Sequence, residues 1–443
     1  MTLLNNLNTA SSGLGVSSTS MSVIGDNIAN LNTIGYKGSR ASFGDLLPND
    51  VAGLSGVSSI GTGAATQSVT ALFGQGALQQ TGNSLDMAIN GGGFFMLEGA
   101  GEETFFSRNG QFGLDEEGFI VNGAGLRLQG YGAEGGDVGK TISDLQVATA
   151  AISPQQTAEI GITANLDSAA DYDDTPIADG TYTLDGTDTT VNEFASDGDF
   201  TTSATIYDSQ GEAHDVTVVY EKTSENTWGW YAVVDAGELD GGLEDGKAFQ
   251  ISSGTLEFDT DGDMTSFTQV NENDLGNAWR FSEAEQTDFD FQFGLDANGD
   301  PTERGGLSQN AGDSAVSQVS QDGYATGDLA GLQIGNDGTI MGTYTNGQEI
   351  ALGQVALADF TSETGLERIG GSLFQATMAS GLPAVGAAGA GGRGDIVGGA
   401  LESSNVELED QFVNMISSQR SYQANSRVFS STDQLLQELV NLV

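Results

Sequence analysis

The chain has 443 residues, with 62 Asp plus Glu against 13 Lys plus Arg, one His and no Cys, for a formal net charge of −49. Thirteen scattered cations cannot build the basic surface that displaces counterions from a nucleic acid, and an anionic membrane repels such a chain for the same reason. With no thiol and one imidazole, a disulfide, a zinc finger, a Cys nucleophile and any site needing two His ligands are all excluded.

Residues 1–36 hold one carboxylate, Asp26, and no cation, and all five prolines lie between residues 48 and 383, so both ends are free of helix breakers. The N-terminal segment carries a strict heptad: Leu3, Leu7, Ala10, Leu14, Ser17, Met21, Ile24, Ile28 and Leu31 alternate by four and three residues. That 3.5-residue period predicts a coiled-coil seam. The segment is rich in Ser, Asn, Thr and Gly, mediocre helix formers, so it is expected to gain order only when its stripe is covered. Its first residues have neither a cationic n-region nor an unbroken apolar h-region, so no Sec signal peptide is expected.

Farther on, Gly91–Gly93 precede an apolar run from Phe94 to Leu97, and Asp115–Gly118 reads as a turn between two short strands. Residues 205–220 read as a hairpin turning at Ser209–Gly211, with Val216, Val218 and Tyr220 on one face; Trp228, Trp230, Ala232 and Val234 alternate on the next strand. Between the two ends the reading is mainly β. Residues 151–320 concentrate the charge, with 35 acids against four bases. The C-terminal segment repeats the heptad through Leu408, Phe412, Met415, Gln419, Tyr422, Ser426, Phe429, Asp433, Leu436, Val440 and Val443. A helix over 404–443 is about 60 Å long, too long for one side of a small globular core. The expected covers for both stripes are each other and the helices of neighbouring copies. The fold class expected is therefore α+β: paired N- and C-terminal coiled-coil helices with mainly-β, barrel- or sandwich-like central domains.

Several stretches resemble the bacterial flagellar rod and hook family. SMSVIGDNIANLNTIGYKGSRASFGDLL, NSLDMAINGGGFFML, FSRNGQFGLDEEGFIVNGAGLRLQGY and the closing GALESSNVELEDQFVNMISSQRSYQANSRVFSSTDQLLQELV are similar to motifs shared across it. TIYDSQGEAHDVTVVYEKTSENTW, LEFDTDGDM, QDGYATGDLAGLQIGNDGTIMGTYTNGQEIALGQVALADF and GLERIGGSLFQAT resemble its hook branch. The resemblance implies a non-enzymatic, cofactor-free subunit of a flexible helical tube that passes torque from rod to filament. Its implied partners are further copies of itself, the distal rod, hook-cap and hook–filament junction proteins, and the flagellar export apparatus; the implied location is extracellular, in the hook. Asp26, Asn27, Asn30, Asn32, Gly35 and Lys37 fall on the family's N-terminal motif. The expected division is a helical terminal domain over 1–34 and 401–443, a Gly/Asn-rich connector over 35–75 and 384–400, an inner β domain over 76–150 and 321–383, and an acidic outer β domain over 151–320.

Two other readings are a distal rod subunit and a secreted calcium-dependent acidic adhesin. The latter calls for tandem G-G-x-G-x-D nonapeptides, which the sequence lacks. Asp259, Asp261 and Asp263, and likewise Asp296, Asn298 and Asp300, open like calcium loops, but position 12 after Asp259 is Val270 rather than Glu, so β-turns are expected. Arg393-Gly394-Asp395 reads as a coincidental tripeptide in a Gly-rich linker, and His214 as a lone polar residue on a hairpin. No pair of carboxylates is singled out by spacing as a catalytic acid and base.

Overall fold

The computed structural model describes residues 2–47, 49–53, 56–99, 101–147, 151–172, 185–240, 244–271, 279–285, 289–295 and 305–441. Strands dominate it, with helix α1 over Thr2–Ala29, a short helix α2 over Val191–Asp197 and helix α3 over Leu408–Asn441. The chain divides into two compact units: Met1–Thr149 with Ala330–Thr343 and Glu349–Val443, and Ala150–Leu329 with Tyr344–Gln348.

In the first unit, α1 forms despite its composition because α3 and two strands pack on it, and its hydroxyls turn back onto its own carbonyls. Ser17 Oγ donates to Gly13 O at 2.9 Å, Thr9 Oγ1 to Asn5 O at 2.9 Å and Thr19 Oγ1 to Gly15 O at 3.1 Å. The helical terminal segment expected over 1–34 and 401–443 is shorter at both inner ends. The chain leaves α1 at Ala29, and Ala400–Glu402 is a strand paired with Leu78–Gln80. Within the stretch expected as a Gly/Asn-rich connector, Ser39–Asp45 pairs antiparallel with Ala64–Ala71, and both strands lie against α1. Glycine there permits turns without preventing backbone pairing on either side of them.

The sheet of this unit is organised by the strand Glu349–Asp359. It pairs antiparallel with Arg127–Glu134, Phe94–Glu98, Thr339–Tyr344 and Ala384–Ala387. The expected run Phe94–Leu97 is thus a central strand, and the turn at Asp115–Gly118 joins Phe112–Leu114 to Ile120–Asn122 with Gly118 at φ +86°. Phe94, Met96, Phe106, Ala358, Phe360 and Phe374 form one core cluster, with Phe94 and Phe106 set edge-on to Phe360.

The second unit packs two sheets over one core. One runs in the order Asp185–Thr190, Lys247–Phe258, Thr227–Asp235, Ala213–Ser224, Phe200–Tyr207. The other pairs Glu159–Asp167 in parallel with Asp290–Gln292 and Gly306–Asn310, and antiparallel with Ala315–Gln321. Val216, Val218, Tyr220, Trp228, Trp230, Ala232 and Val234 all face inward onto Ile162, Phe291, Phe293 and Leu307, as their alternation requires. The indole N–H groups of these two tryptophans are satisfied: Trp228 donates to Gln309 Oε1 at 3.3 Å and Trp230 to Thr268 O at 3.1 Å.

The mainly-β stretch between the two ends also holds the short helix α2. Thr190 caps it, its Oγ1 accepting from Glu193 N while the Glu193 carboxylate accepts from Thr190 N, a reciprocal capping box. Its Phe194 is fully buried against Val219, Val233 and Ala248. The opposite face of the tryptophan-bearing sheet is therefore covered too, and Val219 and Val233 are buried alongside their inward-facing neighbours.

Candidate functional site

The two terminal helices pair, running antiparallel. Asn27 Nδ2 donates to Gln411 Oε1 at 3.2 Å, Ser20 and Ser418 share a hydroxyl hydrogen bond of 2.9 Å, and a Cβ on Gly13 would stand 2.5 Å from the Asn425 amide. Each step of seven residues down α1 is matched by seven up α3. Around these polar rungs Ala10, Ser17 and Ile24 of α1 and Thr432 of α3 are buried.

This seam is rotated by one heptad position from the expected stripes. On α1 it keeps Ala10, Ser17 and Ile24, leaving Leu7, Leu14, Met21 and Ile28 half-buried at its flanks, while Leu31, also half-buried, lies just past the end of the helix. On α3, Met415 and Leu436 are half-buried, whereas Leu408, Phe412, Tyr422 and Phe429 are exposed. Phe412 is 48 % exposed, and Val413 and Ile416 on the same side are 66 % and 50 % exposed. Leu3 and Val440 lie in the helices but their side chains are outside those described, and Val443 is outside the described residues. Small and amide side chains win the intrachain seam because they let the two backbones approach closely, and the larger apolar groups are displaced to its rim.

Below the helices, the family-motif residues tie the root of α1 to the root of α3. The Asn27 amide clamps the backbone of Ser39, accepting from its N and donating to its O, both at 2.8 Å. Asp26 accepts from the Tyr36 hydroxyl at 2.9 Å; burial, reinforced by that carboxylate, raises the Tyr36 pKa. Asn30 folds back onto Asp26, and Asn32 is exposed. Gly35 sits at φ +66° and donates to Glu402 O at 2.7 Å; a Cβ there would meet the Asn109 N at 2.5 Å, so the position admits only glycine.

Lys37 is buried and reaches Glu402 Oε1 at 2.7 Å and Gly74 O at 3.0 Å. Glu402 is fully buried, accepts from Gly76 N at 2.8 Å, and lies 3.6 Å from Arg108, whose guanidinium sits over the Phe94 ring. Burial pulls the Lys37 ammonium below the ordinary lysine range, against the opposing pull of Glu402, and pulls Arg108 down as well. Asn405 completes the clasp, accepting from Gly38 N and donating to Leu72 O. Arg108, Glu402 and Asn405 were not singled out from the sequence, because each meets its partner across tens to hundreds of residues. Gly13, Ser20, Asn27 and Gln411, Ser418, Asn425 did carry a signal, small or polar residues repeating every seven positions on both helices.

The calcium-loop candidates do not converge as ligands. The Asp259 carboxylate accepts the backbone N–H groups of Asp261 and Asp263, and Gly262 takes φ +90° in the turn between Lys247–Phe258 and Met264–Phe267. Asp296, Asn298 and Asp300 lie outside the described residues. Arg393 donates to Ala387 O within its own loop. Among the described residues no helix is long and apolar enough to cross a membrane.

The sequence is matched by four family models of the flagellar rod and hook class. They are flagella basal body rod protein over 7–37, the flagellar hook protein FlgE/F/G D1 domain over 88–165, the flagellar basal body protein FlaE D2 domain over 163–324 and the flagellar basal body rod FlgEFG protein C-terminal over 397–442. The chain is 35 % identical to flagellar hook protein FlgE of Escherichia coli K12 over 441 residues, covering 98 % of each chain. It is 35 % identical to that of Salmonella typhimurium LT2 and 32 % to that of Treponema pallidum, covering at least 97 % of every chain compared. The chain belongs to the flagellar hook protein FlgE family. Its fold is similar to the crystal structure of Helicobacter pylori flagellar hook protein FlgE2, with a TM-score of 0.52 at 14 % identity over 73 % of this chain and 100 % of that one.

Proposed function

We propose that the chain is a structural, non-enzymatic and cofactor-free subunit of the bacterial flagellar hook that polymerises through its terminal helices into a flexible tube transmitting torque. The observation that carries this reading is the division of labour on α3. Its polar rungs face α1 of the same chain, and Leu408, Phe412, Val413, Ile416 and Phe429 remain exposed along a helix about 51 Å long. An apolar strip of that length in water favours burial against further copies, and a strip offered to a neighbour that is not symmetry-closed builds an open helix. We assign coiled-coil packing to contacts between copies, with Leu3, Leu7, Leu14, Met21, Ile28, Leu31, Met415, Tyr422, Leu436 and Val440 as the remaining assembly residues, while Ile24 serves the pairing of the two helices within one chain. The terminal helices form the inner wall of the tube. The distal rod, hook-cap, junction and export proteins are its partners, and the hook outside the cell is its location.

Deleting residues 1–32 tests the reading. The truncated chain should remain a monomer with an intact second unit and form no tubes in electron micrographs, whereas the full chain forms short curved ones. Tubes from the truncated chain would sink the terminal-helix mechanism, and straight tubes from the full chain would point to a rod subunit instead.

A further inference from the structure

The one histidine of the chain is not a bystander on its hairpin. His214, on the strand Ala213–Ser224, is only 6 % exposed, and its ring stacks flat on Phe281 at 3.7 Å with an interplanar angle of 8°. Nδ1 lies 2.7 Å from Glu238 Oε2. That bond places the proton on Nδ1, so in a neutral ring Nε2 presents a bare lone pair. Nε2 is buried with no hydrogen-bond partner and stands 3.6 Å from Asp208 Oδ2. A lone pair facing a carboxylate oxygen at that separation is repulsive unless a positive charge lies between them.

The hairpin turn supplies a third donor. Asp208 is held rigidly because its other oxygen accepts the backbone N–H groups of Gln210 and Glu212, each at 2.8 Å. Gly211 at φ +83° brings the chain round so that a carboxylate oxygen of Glu212 and the Asp208 and His214 donors all lie within 4.8 Å of one another. We infer that Asp208, Glu212 and His214 Nε2 bind a divalent transition-metal ion of the zinc class. Two bonds of about 2.1 Å opening at a near-tetrahedral angle place N and O roughly 3.4 Å apart, close to the separation found. Glu238 then occupies the outer position typical of metal-bound histidines, accepting from the ring nitrogen that does not ligate and fixing its tautomer. One imidazole with two carboxylates suits zinc, nickel or manganese better than calcium, and Glu212, exposed at the turn, leaves room for water to complete the coordination.

Because there is one histidine, the test is direct. The full chain, labelled with ¹⁵N-histidine and freed of metal with EDTA, is titrated with zinc chloride. The expected result is saturation at one equivalent, a shift of the Nε2 resonance while Nδ1 stays protonated, and reversal by EDTA. Melting of the second unit should rise by about 5 to 10 °C at zinc a hundredfold above Kd. Glu238→Gln should weaken binding by about 10- to 100-fold. Glu212→Gln changes an exposed side chain and leaves the fold intact, so loss of the tight equivalent in that variant supports the site even if His214→Gln fails to fold. Zinc uptake that leaves the imidazole signals unmoved would place the ion on other carboxylates and overturn the proposal. A ring found protonated on both nitrogens at neutral pH and indifferent to zinc would overturn it equally, as an imidazolium held between Glu238 and Asp208.

Discussion

Replacing Lys37 by methionine removes one charge from the clasp while keeping a side chain of similar length. Glu402 would then remain fully buried with Gly76 N and the more distant Arg108 at 3.6 Å, and Gly74 O would keep only the Asn405 amide as donor. Breaking a buried ion pair on one side destabilises by about 3–5 kcal/mol, because the surviving charge stays desolvated. At roughly 2–4 °C per kcal/mol for a unit of this size, the melting temperature of the first unit should fall by about 6–20 °C. All three tryptophans, Trp228, Trp230 and Trp279, lie in the second unit, so indole fluorescence provides an internal control. Calorimetry should show the first unit's transition moving down while the fluorescence transition stays in place. Combining Lys37→Met with Glu402→Gln should destabilise less than the two single losses together, since the orphaned charge is then gone. A fall of less than about 1 kcal/mol in the first unit, or a fluorescence transition that moves equally, would refute the clasp.

Phe412→Glu should leave monomer stability within about 0.5 kcal/mol, because the side chain is already half in water, yet raise sharply the concentration at which tubes form, measured by sedimentation. Gly13→Ala should weaken pairing of the termini through the approach to Asn425, and Asn425→Ala should restore it, read from far-UV circular dichroism and proteolytic protection of α1. Thr190→Ala should destabilise the second unit by about 1 kcal/mol in urea unfolding followed by fluorescence. Hydrogen bonds from Thr190 hold the Glu193 carboxyl below its ordinary 4.5, so this cap contributes fully above that pH and fades as the pH falls through the lowered value. The acid side of the stability profile should accordingly be shallower in Thr190→Ala.

The sequence by itself determined what periodicity and composition control. The helical ends, the inward alternation of Val216, Val218, Tyr220, Trp228 and Trp230, the turn at Asp115–Gly118 and the motif from Asp26 to Lys37 are local patterns, and each forms where its spacing puts it. The Thr190–Glu193 capping box is equally local, but helix α2 was not among the elements expected from the sequence. Which face of each terminal helix meets the other was decided only by tertiary structure. Hydrophobicity marks a stripe, but close approach of two backbones selects Gly13, Ser20 and Ser418, and turns the larger apolar groups of α3 outward for another partner. The same limit applied to the buried charges. Lys37 and Glu402 are 365 residues apart, and His214 meets Glu238 only after the chain has passed through another strand. Charge along a chain is visible in composition, but pairing and desolvation depend on three-dimensional proximity, which for these groups the fold alone supplies.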